Sequence, residues 1–264
     1  MSTTLSTSTA RRAAAFATLA LAASAGIALA GHASAAGCAA TDYSEDGHVL
    51  TAAIVAAPGQ VVSGPQDATG CDIGVYFGPG IDGSVNGAVI GATELQAPTY
   101  YGVLVNGAAV DVTNSSISNV GNHPHDGTQH GIGVDYLNVP AASVASGTVM
   151  GDSITAYQKG GIAVEGNRAN VSVLGNTVTG LGPVPFIAQN GVQYSDGAVG
   201  SIVGNDINDN YYTGCSNKDA AKTGCIPYVS TGLLLYNIDP SSVKASNNHF
   251  RGDQRNQYMA PAKG

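Results

Sequence analysis

Tryptophan is absent from this chain, phenylalanine occurs only four times, and 10 lysines and arginines stand against 18 acidic residues. The missing tryptophan excludes the indole platforms on which many sugar-binding modules stack their ligands. The shortage of base, with a formal net charge of -8, leaves no electrostatic footprint for nucleic acid. Beyond residue 36 no apolar run approaches the roughly 20 residues that span a bilayer, so no membrane span is expected. The four cysteines include no Cys-x-x-Cys pair and have no histidine partner at ligand spacing, which argues against a zinc site.

Glycine is plentiful, at 36 residues, and it recurs in register. A glycine followed by an apolar residue appears at Gly102-Val103, Gly131-Ile132, Gly161-Ile162, Gly191-Val192 and Gly232-Leu233, spaced 29, 30, 30 and 41 residues apart, with Gly74-Val75 another 28 upstream. Such a period identifies one supersecondary unit stacked several times. Within each unit the apolar residues alternate as in a half-buried strand, so Ile132, Val134, Ile162, Val164, Val192 and Tyr194 are expected to point inward. A second alternating run follows, then a turn at Ser115, Asp152, Asn176, Asn205 or Asn248, residues able to stack as a column of like side chains. The pattern specifies an all-β fold, a right-handed parallel β-helix of about six coils.

Arg11 and Arg12, an apolar stretch over residues 13–30 and Ala33-Ser34-Ala35 read as a secretory signal peptide over residues 1–35. Its removal takes two arginines and no acid, leaving a net charge of 8 − 18 = −10. A secreted, extracellular monomer is expected. The mature chain divides into an N-terminal cap over residues 36–73, the β-helix over 74–250 and a polar C-terminal tail over 251–264. In the cap, Ser44 or Asp42 is able to start a helix through Leu50, Ile54 and Ala57, although the β-branched residues permit a strand equally well. Three disulfide pairings are open to Cys38, Cys71, Cys215 and Cys225. A local Cys215–Cys225 bridge would staple the single overlong repeat and leave Cys38 for Cys71.

Over residues 74–250 the Gly-[Ile/Val/Leu]-x-[Val/Tyr/Leu] and Gly-Asn-x-[Val/Ile] elements resemble those of secreted actinobacterial β-helix repeat proteins in the pectate-lyase-like superfamily. That resemblance implies the fold and a place among extracellular polysaccharide enzymes and surface proteins. The chain departs from the superfamily's named enzymes. It lacks the Arg-x-Pro-x-x-Arg signature of pectate lyases and the Asp-Asp, Gly-His-Gly and Arg-x-Lys elements of polygalacturonases.

Outward parity and the glycine alignment together nominate a site. They put Gln129, Lys159 and Gln189 in one ladder and Asp135, Glu165 and Ser195 in another, with small residues and Gln193 between them. The one short connection, residues 155–158, lies among long ones, which predicts a cleft with Tyr157, Gln158 and Lys159 at its base and His123, His125, Asp126, Phe186 and Tyr211 on its walls. Asp135 and Glu165, one coil apart, suit calcium binding with backbone oxygens, or the close carboxyl pair of a retaining glycosidase. Lys159 suits the base of an elimination lyase. The expected function is binding, with cleavage in prospect, of an extracellular polysaccharide by catalytic candidates Lys159, Asp135 and Glu165 and binding candidates Gln129, Gln189, Gln193, Tyr157, His125 and Asp126. The alternative is a non-catalytic surface or matrix protein whose loops contact a partner. Arg251-Gly252-Asp253 matches an integrin-read tripeptide, but three residues recur by chance.

Overall fold

The computed structural model describes residues 37–93, 98–139 and 143–261, and the expected signal peptide lies outside the described residues. Over these residues the chain is a parallel β-solenoid of about seven turns. A first face stacks His48–Val55, Ile73–Phe77, Tyr101–Asn106, Ile132–Leu137, Gly160–Glu165, Asn190–Ser195, Thr231–Ile238 and Arg255–Pro261, each parallel to the next. Ala39–Glu45 closes its N-terminal edge, antiparallel to His48–Val55. The second face stacks Val110–Thr113, Ser146–Met150, Asn170–Leu174, Val199–Val203 and Val243–Ser246. The third stacks Ser116–Ile117, Ser153–Thr155, Thr177–Val184, Asp206–Tyr212 and His249–Arg251. In the early turns Val61–Asp67 and Gly83–Gly91 run through both of these faces.

Both chain ends depart from the expected boundaries. In residues 36–73 the strand alternative prevails, since the β-branched Val49, Thr51, Ile54 and Val55 sit in a strand that pairs with Ile73–Phe77. Most of the expected polar tail is the last strand of the first face, Arg255–Pro261, paired with Thr231–Ile238. These additions make the solenoid about one turn longer than its glycine repeat suggests. Both expected disulfides form, Cys38–Cys71 and Cys215–Cys225. The second closes the long insertion around a short helix, Asn217–Thr223, capped by Ser216 and Asp219 at its start and by Gly224 at its end.

Valine and isoleucine from all three faces fill the interior, joined by three tyrosines. Tyr136, Tyr157 and Tyr194 are buried there, and their hydroxyls donate to Val110 O (2.6 Å), Asn210 Oδ1 (2.6 Å) and Val171 O (2.8 Å). A phenol is tolerated inside a coil because it reaches across to an acceptor that would otherwise be a cost.

The glycine repeat has a steric cause. At Gly74, Gly102, Gly133, Gly161 and Gly191 a Cβ would lie 2.5–2.7 Å from the carbonyl oxygen of the next glycine in the column. It would also lie 2.3–2.6 Å from a core side chain of the third face, Ile90, Ile117, Ile154, Val178 or Ile207 respectively. The corner glycines therefore face the core, and they do not floor an outward strip. In the turn that carries two glycines, the column runs through Gly133, with Val134 opposite Ile162 and Ile132 opposite Gly160. Ile132 accordingly lies outward, against the cluster of Tyr43, Leu50, Tyr76, Tyr101 and Leu104, and does not point into the coil as expected.

The expected side-chain column is present, buried from Ser115 to Asn205 and half-buried at Asn248. Asn176 and Asn205 each accept from the backbone N–H of the preceding column member and donate Nδ2 to a carbonyl of the preceding turn, Val149 O and Val173 O, both at 2.9 Å. Asp152 occupies the same position, accepting from Ser115 N at 2.7 Å through Oδ1. Its Oδ2 stands where asparagine carries N–H, is buried, and has no partner. Burial pushes this carboxyl up to about 6, against the opposing backbone N–H groups of Ser115 and Met150.

Two predictions follow from these columns. Gly161→Ala should destabilise by about 2–4 kcal/mol, because its Cβ meets backbone that cannot retreat. At the neighbouring Gly160 a Cβ has nothing nearer than 3.7 Å, so Gly160→Ala should stay within about 1 kcal/mol of wild type in urea unfolding. A folded pKa raised above the unfolded value means that the stability supplied by protonated Asp152 is full below about pH 4 and lost as pH rises through about 6. Asp152→Asn should therefore raise unfolding free energy at pH 7 by about 2–3 kcal/mol and reduce the pH slope above pH 4. The slope that survives is assigned to Asp253, whose carboxyl burial also pushes up to about 6.

Candidate functional site

The outward side chains of the first face form rows along the solenoid axis. One row runs Tyr76, Leu104, Asp135, Ala163, Gln193, Leu234, Tyr258. A second runs Asn106, Leu137, Glu165, Ser195, Tyr236. A third runs Tyr101, Ile132, Gly160, Asn190, Thr231, Arg255. Asp135 and Glu165 thus occupy different rows, because the column passes through Gly133 and not Gly131. They are diagonal neighbours, with Cα atoms about 7–8 Å apart, where direct stacking was expected.

Several candidates do share this surface. Gln193 donates to Glu165 Oε1 at 2.9 Å and accepts from Asn190 Nδ2 at 3.0 Å, while Thr231 Oγ1 donates to Asn190 Oδ1 at 2.7 Å. This hydrogen-bonded chain crosses three turns. Lys159, at the start of the Glu165 strand, donates Nζ to Ala188 O at 3.1 Å. Burial lowers its pKa below the usual lysine range, and the Glu165 carboxylate opposes that shift. Asp135 is 2% exposed.

The remaining candidates lie elsewhere. Lys159 N donates to Gly131 O and Lys159 O accepts from Asn190 N, so Gln129 falls two residues out of the expected ladder, onto an exposed loop where its amide donates to Gly127 O. Gln189 is fully buried, donating to Tyr157 O and Gln158 O and accepting from Leu181 N. Tyr157 belongs to the core. At the short 155–158 connection Tyr157 and Gln158 are buried, and a depression of about 360 Å³ opens beside it, lined by Pro98, Asn122, His123, Pro124 and Asp126.

Gln158, which is fully buried, organises the histidine loop. Its Oε1 accepts from Asn122 N (3.0 Å) and Asp126 N (3.1 Å), and its Nε2 donates to Thr128 O (2.9 Å) and Thr128 Oγ1 (2.8 Å). Asp126 accepts from the Thr128 hydroxyl and backbone N–H, which hold its carboxyl down at about 2. His125 is held below the usual histidine range by burial and by the neighbouring His123. His130 stacks on Tyr100 with centroids 3.9 Å apart. Among the described residues no group of three His, Cys, Asp or Glu side chains is arranged to hold a metal ion, so the calcium expectation gains no donor set.

Residue-by-residue reading missed Tyr236 and Tyr258. They are 51% and 43% exposed, stand in the rows of Ser195 and Gln193, and continue the polar chain toward the C-terminal end. The Arg255 guanidinium lies 5.3 Å from the Tyr258 ring centroid. The parity of Tyr236 was readable from Gly232, but Tyr258 lay in the presumed tail.

The chain is thus a disulfide-bonded parallel β-solenoid, and no helix among the described residues is long and apolar enough to cross a membrane. No family model matches it, and neither a curated protein nor a solved structure matches it.

Gln158→Leu should release the histidine loop by leaving the Asn122 and Asp126 N–H groups without their acceptor, at about 1–3 kcal/mol for each group that stays buried. Hydrogen exchange should quicken across residues 121–130 and stay unchanged in the Asn190–Ser195 strand.

Proposed function

We propose that this protein is secreted and binds an extracellular polysaccharide along the outward side of its first face, toward the C-terminal end. The observation that carries the reading is the pair of exposed tyrosines, Tyr236 and Tyr258, in line with the polar chain of Glu165, Gln193, Asn190 and Thr231. Sugar rings present apolar C–H faces and hydroxyl edges, so aromatic faces beside fixed amide and carboxylate groups complement them. The regular strand spacing of about 4.8 Å offers an extended polymer repeated contacts without a deep pocket. Two disulfides accord with an oxidising compartment. The pectate-lyase-like resemblance is consistent with this ligand class.

Cleavage of the bound polymer is the second reading, favoured by the lowered pKa of Lys159 beside Glu165. A lysine pushed toward neutrality is equipped to remove a proton next to a uronate carboxylate.

Affinity electrophoresis against a panel of pectic, xylan and glucan polymers tests binding. Tyr236→Ala and Tyr258→Ala should each weaken retention by about 3- to 10-fold, the loss expected for one stacking contact. Retention unchanged in both variants would remove this face from the account, and retention of no polymer by the wild type would favour a partner-binding scaffold. Unsaturated uronates or new reducing ends that vanish in Lys159→Met, Asp135→Asn or Glu165→Gln would establish cleavage.

A further inference from the structure

The solenoid is electrically polar along its axis. After Arg12 the next lysine or arginine in the chain is Lys159, while Asp42, Glu45, Asp46, Asp67 and Asp72 all stand in the first described turn. Asp42 and Glu45 accept from the Tyr76 and Tyr101 hydroxyls, and Asp46 and Asp67 are exposed. At the other end Lys244, Arg251 and Arg255 lie in the last turn, all three exposed. The acids near them are engaged locally, Asp239 as the cap of Pro240–Ser242 and Asp253 on Asn210. One rim of the coil is therefore acidic and the other basic.

Both ends also present unpaired edges. The last-turn strands Val243–Ser246, His249–Arg251 and Arg255–Pro261 each have a ladder neighbour on one side only. Their inward residues show the consequence. Met259, opposite the buried Leu235, is 45% exposed; Ala245, opposite the buried Ile202, is exposed; Phe250, opposite the buried Ile207, is only partly covered. Gln257, opposite Leu233, is the polar member of this set. At the first turn Val61–Asp67 pairs only with Gly83–Gly91, and Ala39–Glu45 covers His48–Val55 no further than Ala52. That leaves the edge of Ala53, Ile54 and Val55 without a strand, with Val55 43% and Val61 62% exposed.

We propose that copies of this chain associate head to tail, the C-terminal turn of one against the N-terminal turn of the next. Opposite rims attract across that contact. Joining two C-terminal ends would set Lys244, Arg251 and Arg255 against themselves, and joining two N-terminal ends would do the same to Asp46 and Asp67. A charge that only guards an open edge needs no particular sign, whereas here the sign differs between the ends. Direction also fits: every step from His48–Val55 to Arg255–Pro261 is parallel, so Arg255–Pro261 meets the free Ala53–Val55 edge of the next copy running the same way. Met259, Phe250 and Ala245 then gain the apolar cover that their counterparts one turn further in already have. The contact joins two different surfaces along the solenoid axis and does not close, so it generates open rows of copies. Pro65 and Pro261 each remove a ladder donor at these ends, which keeps the association reversible. The contact lies along the axis, away from the outward tyrosine strip, and depends on no ligand of that strip.

Sedimentation velocity of the purified protein tests this over a concentration series at about 0.01 M and about 1 M salt, between which the Debye length falls from about 30 Å to about 3 Å. At low salt the weight-average mass should rise with concentration past that of a dimer. High salt should weaken the association at least about tenfold, ~1.4 kcal/mol. Met259→Glu sets a carboxylate on the end that faces the acidic rim, and Val55→Lys sets an ammonium on the end that faces the basic one. Each variant alone should stay monomeric where the wild type associates. Their equimolar mixture keeps one intact contact, the C-terminal end of Val55→Lys on the N-terminal end of Met259→Glu, and should form dimers and nothing larger. Thermal unfolding checks that both variants fold, and Arg255→Glu takes the place of Met259→Glu if that variant does not. A wild type that stays monomeric up to about 0.5 mM at low salt would overturn the proposal. So would an assembly that stops at a dimer, association unchanged by Val55→Lys or by high salt, or a mixture that stays monomeric.

Discussion

The close vertical approach of one turn's backbone to the next, at the corner where the chain enters the first face, is the constraint on which this structure rests. Each corner glycine lies against the carbonyl of the next and against an isoleucine or valine of the third face, so no side chain fits there. This contact sets the register of the first face. The register in turn decides which outward residues form a row, and hence which chemistry is brought together. Moving the column by two residues, from Gly131 to Gly133, sets Asp135 opposite Ala163 and Leu137 opposite Glu165, which separates the two carboxylates into different rows.

Inside the coil a polar column does comparable work at the opposite corner. Asparagine suits it because one side chain both accepts from a backbone N–H and donates to a carbonyl, leaving nothing buried and unpaired. Aspartate at position 152 meets only half of that requirement unless it holds a proton. Residue 152 is thus a carboxyl whose best-bonded form is neutral, in a chain that is strongly acidic. Asp253 repeats the conflict one turn from the end, where Asn210 satisfies one oxygen and the other is left buried.

Much of the fold was legible because a solenoid repeats its local rules. Alternation announced the strands, the small polar turn residues announced the column from Ser115 to Asn248, and the overlong repeat announced the Cys215–Cys225 staple. The site was harder to read, because function here depends on which turn stands beside which. Two glycines two apart satisfy the same alternation, so sequence alone could not choose between Gly131 and Gly133. Glutamine gave no sign of whether it faced water or the backbone: Gln158 and Gln189 are structural, while Gln193 lies on the outward face. The short 155–158 connection suggested a cleft floored by Tyr157 and Gln158 because loop lengths do not reveal that both side chains are buried.

The amino-acid sequence by itself determined the repeat, the inward and outward alternation and the small residues required at both corners, because these are local steric and hydrogen-bonding demands met again in every turn. Only the tertiary structure decided the register between turns and the strand roles of the two ends. Those outcomes depend on which carbonyl of a neighbouring coil occupies the space beside a glycine, and that contact lies about thirty residues away along the chain in a typical repeat of this kind.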